Sequence, residues 1–175
     1  MFLYTFHMDT TKIKNREAQR FIKVFLTYRA INRKVFESIE EKDFDFRMVH
    51  NQQRKLDSPR ESLAHLIEVE SSYLMSAKDG LGHRWGRAKD LDSPTKSKDF
   101  LLNLLSKKDE ELISFLSKEE NLKKKVQVKW SENPISVLSY FWAMNDHEIL
   151  HNGWNLALMD LLDIPRFDEL KNIWG

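Results

Sequence analysis

Two histidines four residues apart are the strongest chemical signal in this 175-residue sequence. His147 and His151 enclose Glu148, Ile149 and Leu150, and a four-residue spacing puts both rings on one face of a helix. Steps of four and three residues along that helix trace a row that is otherwise apolar. Its members are Tyr140, Met144, His147, His151, Trp154, Leu158 and Leu161. We therefore predict that the pair faces the core of a helical protein.

Two imidazole rings inside a core need partners. Each unsatisfied buried polar group costs about 1–3 kcal/mol, and one metal ion satisfies two neutral rings at once. The sequence has no cysteine, so thiolate metal sites, disulfides and a cysteine nucleophile are excluded. The pattern predicts a divalent metal ion on His147 and His151.

His65 is the third candidate ligand, on the second predicted helix. Its helix face is rich in small residues and consists of Ser62, His65, Leu66, Val69, Ser72, Tyr73 and Ser76. Taken alone, His65 fits a hydrogen-bonded histidine at the edge of the core better than a ligand. A second apolar stripe on the same helix, Leu63, Ile67 and Leu74, indicates either deep burial or an oligomer contact.

The other titratable residues that could take part in a site are not predicted to bind metal. Glu148 is rotated about 100° from the histidine row, so we expect a half-exposed carboxylate, with a general-base role as the weaker alternative. His7, His50 and His83 lie in predicted tails or loops, and we expect them to be solvated. The lysine run 123–125 is predicted to be a solvated connection.

Four long segments with helical periodicity carry these residues. They run over about Thr11–Ser38, Ser58–Lys78, Ser97–Glu119 and Asn133–Asp163. The clearest start is Ser58-Pro59-Arg60-Glu61, which combines an N-cap, a proline at the first helical position and a capping-box glutamate. We predict a single all-α domain over 1–175, a four-helix bundle with at most a short strand near 126–130.

The loop between the second and third helices, Gly80 to Lys96, contains Arg84, Trp85 and Arg87. This loop could gate a pocket or simply connect the two helices, and we favour the connection.

The formal net charge of +1, from 28 basic and 27 acidic residues, gives no reason to expect a nucleic-acid partner. No run approaches the roughly 20 apolar residues of a membrane span, and the first residues lack the basic start of a signal peptide. We expect a cytoplasmic protein, and the start at Met1 or Met8 stays open.

Three stretches, taken in order, resemble the DinB/YfiT-like family of four-helix bundles. They are Phe46-Arg47 followed by the segment 58–66, which ends on His65 and Leu66; the segment Asp146 to Gly153; and Leu162-Asp163-Ile164-Pro165. The resemblance implies His65 as the third ligand, an up-down-down-up bundle, a Zn or Ni ion and a homodimer. It also implies relatedness to thiol-dependent transferases and isomerases. The chain departs from the family pattern at Asn152 and Trp154, where a basic residue and a glutamine are common, which leaves the substrate type open.

From these features we expect a metal-dependent enzyme, a hydrolase or a small-thiol-dependent transferase acting on a small molecule. Three neutral histidines, His65, His147 and His151, leave coordination positions open, as catalytic sites do. The alternative is a non-catalytic dimeric metal-binding bundle with a structural or sensor role. A zincin with Glu148 as base is less favoured. Only four acidic residues follow the histidine pair as third ligands: Asp160, Asp163, Asp168 and Glu169.

Overall fold

The computed structural model describes residues 8–50, 56–82 and 95–174. Its elements are α1 (Arg16–Ser38), a 3-10 turn (Glu41–Asp43), α2 (Pro59–Asp79), α3 (Lys98–Leu116), α4 (Glu119–Leu122), β1 (Lys125–Val126), β2 (Ile135–Ser136), α5 (Val137–Leu161) and α6 (Asp168–Trp174). The two strands pair antiparallel, with Lys125 opposite Ser136 and Val126 opposite Ile135. The all-α class with four long helices and a minor strand is therefore confirmed.

Helices α1 and α5 pack side by side and run in the same direction. Near the start of both helices, the rings of Phe21 and Phe141 stack at 5.8 Å. Further along both helices, the Asn32 side chain donates to the Glu148 carboxylate at 2.7 Å. Contacts that advance together along two helices show that these helices are parallel.

Helices α2 and α3 run the opposite way. Ser62, early in α2, contacts His151, late in α5, whereas Tyr73 and Tyr140 meet at the other end of the same pair. Helix α3 is antiparallel to α1, because Arg33 lies beside Leu102 while the earlier Arg29 lies beside Asp109. The bundle is thus up-down-down-up, as the family resemblance implied.

The second apolar stripe of α2 is buried inside the bundle. Leu63, Ile67 and Leu74 are at most 1% exposed. Leu63 and Ile67 share an apolar cluster with Leu101 and Leu105 of α3. Deep burial, and not an oligomer contact, therefore explains the two apolar faces of this helix.

Hydrogen bonds fix both ends of α2, local ones at its start and a long-range one beyond its end. The Ser58 hydroxyl accepts from the Glu61 backbone N–H, and the Glu61 carboxylate accepts from the Ser58 N–H, so the predicted capping box is confirmed. At the other end, Gly80 adopts a left-handed φ of 75°. Gly82 then donates to the Gln127 carbonyl at 2.7 Å, and a Cβ on Gly82 would approach that oxygen to 2.3 Å. The close approach requires glycine at this position.

Several predicted boundaries were wrong. The first helix begins at Arg16, because the Asn15 side chain accepts from the Ala18 N–H and caps the helix there. The last long helix begins at Val137, not at Asn133-Pro134, because the residues before it pair as β2 and Ser136 provides the cap. The strand near 126–130 is limited to 125–126 and an isolated bridge between Leu81 and Gln127.

The third helix ends at Leu116, three residues before its predicted end, and a short separate helix follows it. Leu161, the last member of the predicted buried row, is 59% exposed at the end of α5.

In the parts of the chain that the structure describes, every helix is too short or too polar to cross a membrane.

Candidate metal centre

Three histidine rings meet between α2 and α5. The Nε2 atoms of His65 and His147 are 3.2 Å apart. The ring centres of His65 and His151 are 5.4 Å apart, and those of His147 and His151 are 4.7 Å apart. One nitrogen from each ring lies within 4.8 Å of the other two. The structure thus brings together the three residues selected from the sequence, on antiparallel helices whose side chains face each other.

The spacing of these nitrogens fits a shared cation. Two nitrogens about 2.1 Å from one zinc ion, at a tetrahedral angle, lie about 3.4 Å apart. The observed separation of 3.2 Å between the ring nitrogens of His65 and His147 is close to this value. Within residues 8–50, 56–82 and 95–174, no other group of histidine and acidic side chains is assembled to hold an ion. The three-histidine group could therefore hold a metal ion.

The electrostatics favour the neutral, metal-binding form of two of the rings, His65 and His151. Burial, together with the charges of the neighbouring His147, His65 and Arg29, lowers the pKa of His151 to about 3. Burial also lowers the pKa of His65, and Asp57 opposes this only in part. A neutral imidazole is the ligand form, so these two rings need not lose a proton near neutral pH before a cation binds.

The hydroxyl of Ser62 lies beside the site. Its Oγ is 3.2 Å from Nδ1 of His151. Ser62 is only 2% exposed and belongs to the small-residue face of α2 noted in the sequence. The hydroxyl therefore lies on the Nδ1 side of the His151 ring, away from its Nε2.

Glu148 is buried, and the predicted half-exposed carboxylate was wrong. The residue is 2% exposed and points toward α1. Its Oε1 accepts from Asn32 at 2.7 Å, and its Oε2 lies 3.4 Å from the Arg29 guanidinium. Helix α1 packs against the side of α5 that lies next to the histidine row. A side chain on that side is therefore buried between α1 and α5 and is not exposed to solvent.

Arg29 is the centre of a buried charge cluster that sequence reasoning missed. The guanidinium lies 3.0 Å from Glu70, 3.3 Å from Asp109 and 3.4 Å from Glu148. These four side chains come from α2, α3, α5 and α1, one from each long helix, and all are at most 4% exposed. The burial of Arg29 alone had a signal in the sequence, because Arg29 follows Phe21 and Phe25 at four-residue steps on the buried face of α1.

One guanidinium cannot neutralise three buried carboxylates. Burial, followed by the charge of Asp109, raises the pKa of Glu70 well above its usual value, although Arg29 lowers it. Burial also raises the pKa of Asp109 to about 7, with Arg29 opposing and Glu148 adding to the shift. The cluster therefore retains a proton at pH values where isolated carboxyl groups are ionised.

Hydrogen bonds of asparagine side chains join α1 to α5 beside this cluster. Asn155 donates to the Asn32 side-chain oxygen at 2.7 Å, and Asn152 donates to the Tyr28 carbonyl at 3.2 Å. Asn152 is fully buried. The departure from the family pattern at this position is thus a helix-packing contact on the α1 side of α5.

The other residues singled out from the sequence are mostly exposed or lie outside the described residues, and Trp154 is one exception. His50 is exposed, as predicted, and Lys123 and Lys125 are exposed at the ends of their run. His7 and His83 lie outside the described residues, as do Arg84, Trp85 and Arg87 of the predicted connection. Trp154 is half-buried on α5.

Comparison with known proteins gives one family match. No curated protein matches the chain. The DinB superfamily profile matches residues 25–154, well over half of the chain. The matched span contains the three clustered histidines and the main parts of the four long helices. The chain therefore belongs to the DinB superfamily.

Proposed function

We propose that this protein is a metal-dependent enzyme in which His65, His147 and His151 hold one divalent cation, zinc or nickel. The observation that carries the proposal is the convergence of three imidazole rings from two helices, with two ring nitrogens 3.2 Å apart. Membership of the DinB superfamily supports metal binding. The proposed substrate is a small molecule, and the reaction is a hydrolysis or a transfer to or from a small thiol.

The donor set favours catalysis over a purely structural ion. Structural zinc sites use four protein ligands, whereas catalytic sites use three and leave a position for water or substrate. The described part of the chain assembles three histidines and no fourth ligand with them. A bound ion would lower the pKa of a coordinated water or thiol, or polarise a substrate carbonyl. The half-buried histidine rings would hold that ion where a small molecule can reach it.

A zincin mechanism is disfavoured by the position of Glu148. A zincin base must reach the water on the metal. Both carboxylate oxygens of Glu148 instead face α1, where they contact Asn32 and Arg29. The geometry gives this glutamate a role in holding α5 against α1.

Metal analysis of purified protein tests the site. We expect the wild type to bind about one equivalent of zinc or nickel after chelator treatment and reloading, as a three-histidine site predicts. His147→Ala and His151→Ala should each lose this binding, and His65→Ala should do the same. His50→Ala, which removes an exposed histidine, is the matched control and should bind like the wild type. A wild type that takes up no metal would exclude the proposal.

The two reaction classes can be separated with cobalt. The chain has no cysteine, so a thiolate-to-cobalt absorption band must come from added thiol. Titration of the Co²⁺-loaded protein with 2-mercaptoethanol should produce this near-ultraviolet band if the enzyme uses a thiol. Turnover of small esters or amides without a thiol band would indicate a hydrolase. A metal that exchanges neither water nor thiol would indicate the non-catalytic structural or sensor protein.

A further inference from the structure

The hydrogen bond between Ser62 and His151 joins the two helices that carry the proposed ligands. Ser62 lies three residues before His65 in α2, and its oxygen meets Nδ1 of His151 in α5 at 3.2 Å. A buried helical serine often turns its hydroxyl back to its own helix. Here the hydroxyl of a 2%-exposed residue is directed across the helix interface to a ring nitrogen.

The partner of Nδ1 decides which nitrogen of a neutral imidazole can bind a cation. If Nδ1 carries the proton and donates it to Ser62, Nε2 has a free lone pair. If the serine hydroxyl donates to Nδ1, the ring proton is on Nε2 and blocks coordination there. Hydrogen bonds at the far nitrogen set the tautomer and orientation of metal-binding histidines, and their loss typically weakens metal affinity about 10–100-fold.

We propose that Ser62 is a positioning residue that accepts the Nδ1 proton of His151 and so presents Nε2 of this ring to the cation. The inference rests on the proposed metal site. In it, Ser62 sets the orientation of the third ring, while the other two rings already direct their Nε2 atoms toward each other. The small-residue face of α2 thereby gains a specific role at one of its positions.

Zinc affinity of serine variants tests this role. Ser62→Ala is expected to raise the zinc Kd about tenfold. Ser62→Thr keeps an oxygen on Cβ and should restore most of the affinity. The matched control is Ser72→Ala, because Ser72 is also buried on α2 and lies about 15 Å further along the helix. Equal affinity of Ser62→Ala and wild type would overturn the inference, as would an equal loss in Ser72→Ala.

Nitrogen-15 NMR of the histidine rings gives a readout that a purely structural role would not produce. In zinc-loaded wild type, we expect His151 to show a protonated Nδ1 and a zinc-bound Nε2. Coordination through Nδ1 would overturn the inference even if Ser62→Ala fails to fold. If the wild type binds no zinc, the proposed function fails as well. If it binds zinc but Ser62→Ala binds equally, only the role of Ser62 fails.

Discussion

His147 and Glu148 are adjacent in sequence but belong to different helix contacts. The helix rotates about 100° between them, so the histidine faces α2 and the glutamate faces α1. The periodicity of α5 was sufficient to predict the direction of His147. It was not sufficient for Glu148, because its partners Asn32 and Arg29 are more than a hundred positions earlier in the chain.

His65 illustrates the same limit for a ligand. Spacing along α2 placed it at the edge of an apolar face, where a hydrogen-bonded histidine was the simpler interpretation. The resemblance to a known family was needed to connect it with His147 and His151. The structure supplies the reason, since the antiparallel pairing of α2 and α5 brings residue 65 opposite residue 147.

Gly153 follows the last histidine by two residues and has no steric reason to be glycine. It lies within α5, is exposed, and a Cβ there would meet nothing within 4 Å in the described structure. Gly153→Ala should therefore stabilise the protein by about 0.5–1 kcal/mol, the usual gain for this change in a helix. Urea denaturation measures the gain, with zinc affinity as a second readout. A loss of stability or affinity would mean that another molecule packs closely at this position.

Helices α2 and α5 each contribute to the histidine group, so a cation would join them directly. Zinc should therefore raise the unfolding free energy of the wild type, by about 2.7 kcal/mol when free zinc is one hundred times its Kd. Thermal unfolding with zinc and with chelator measures this difference. His65→Ala should abolish it and His50→Ala should retain it. Identical melting curves of the wild type in zinc and in chelator would contradict a site between these helices.

The start of α2 was predictable and the start of α5 was not, for a physical reason. Ser58 and Glu61 satisfy each other's backbone N–H groups within four residues, so the sequence contains the whole interaction. At Asn133-Pro134 the local pattern also resembles a cap. A non-local contact overrides it, because Ile135 pairs with Val126 before the helix can begin.

The capping box makes α2 sensitive to a single hydroxyl. Ser58→Ala should lower the unfolding free energy by about 1 kcal/mol, because the backbone N–H of Glu61 at the helix start loses its acceptor. Ser114→Ala, at an exposed position inside α3, is the control and should change stability little. Denaturant titration of both variants without metal measures the effect. A Ser58→Ala variant as stable as the wild type would show that the proline at position 59 and packing alone fix this end.

The four long helices meet in one buried charge cluster. Arg29, Glu70, Asp109 and Glu148 lie on four different helices and span much of the chain. No local pattern predicts such a contact, because the four positions become neighbours only when the up-down-down-up arrangement has formed.

The predicted homodimer stays a prediction. Light scattering would test it against the 20.9 kDa mass of one chain.

Asp109 couples this cluster to the pH dependence of folding. Its pKa is raised to about 7 in the folded protein, chiefly by burial, whereas an unfolded aspartate titrates near pH 4. Between about pH 4 and 7 the folded state therefore keeps a proton that the unfolded state releases. The contribution of this residue to stability is fully present below that window and is lost as the pH rises through it.

Asp109→Asn replaces the protonated carboxyl with a neutral amide of similar shape and removes this titration. Relative to the wild type, the variant should become progressively more stable as the pH rises from about 4 to 7, by at most about 1.4 kcal/mol per pH unit. Urea denaturation of both proteins across this range, in metal-free buffer, measures the difference. Groups outside the cluster titrate equally in the two proteins, so their effects cancel in the comparison. Within the cluster, the variant also removes the charge of Asp109, which raises the pKa of Glu70. Parallel stability curves would show that Arg29 keeps Asp109 ionised, and that the shared proton resides elsewhere in the cluster.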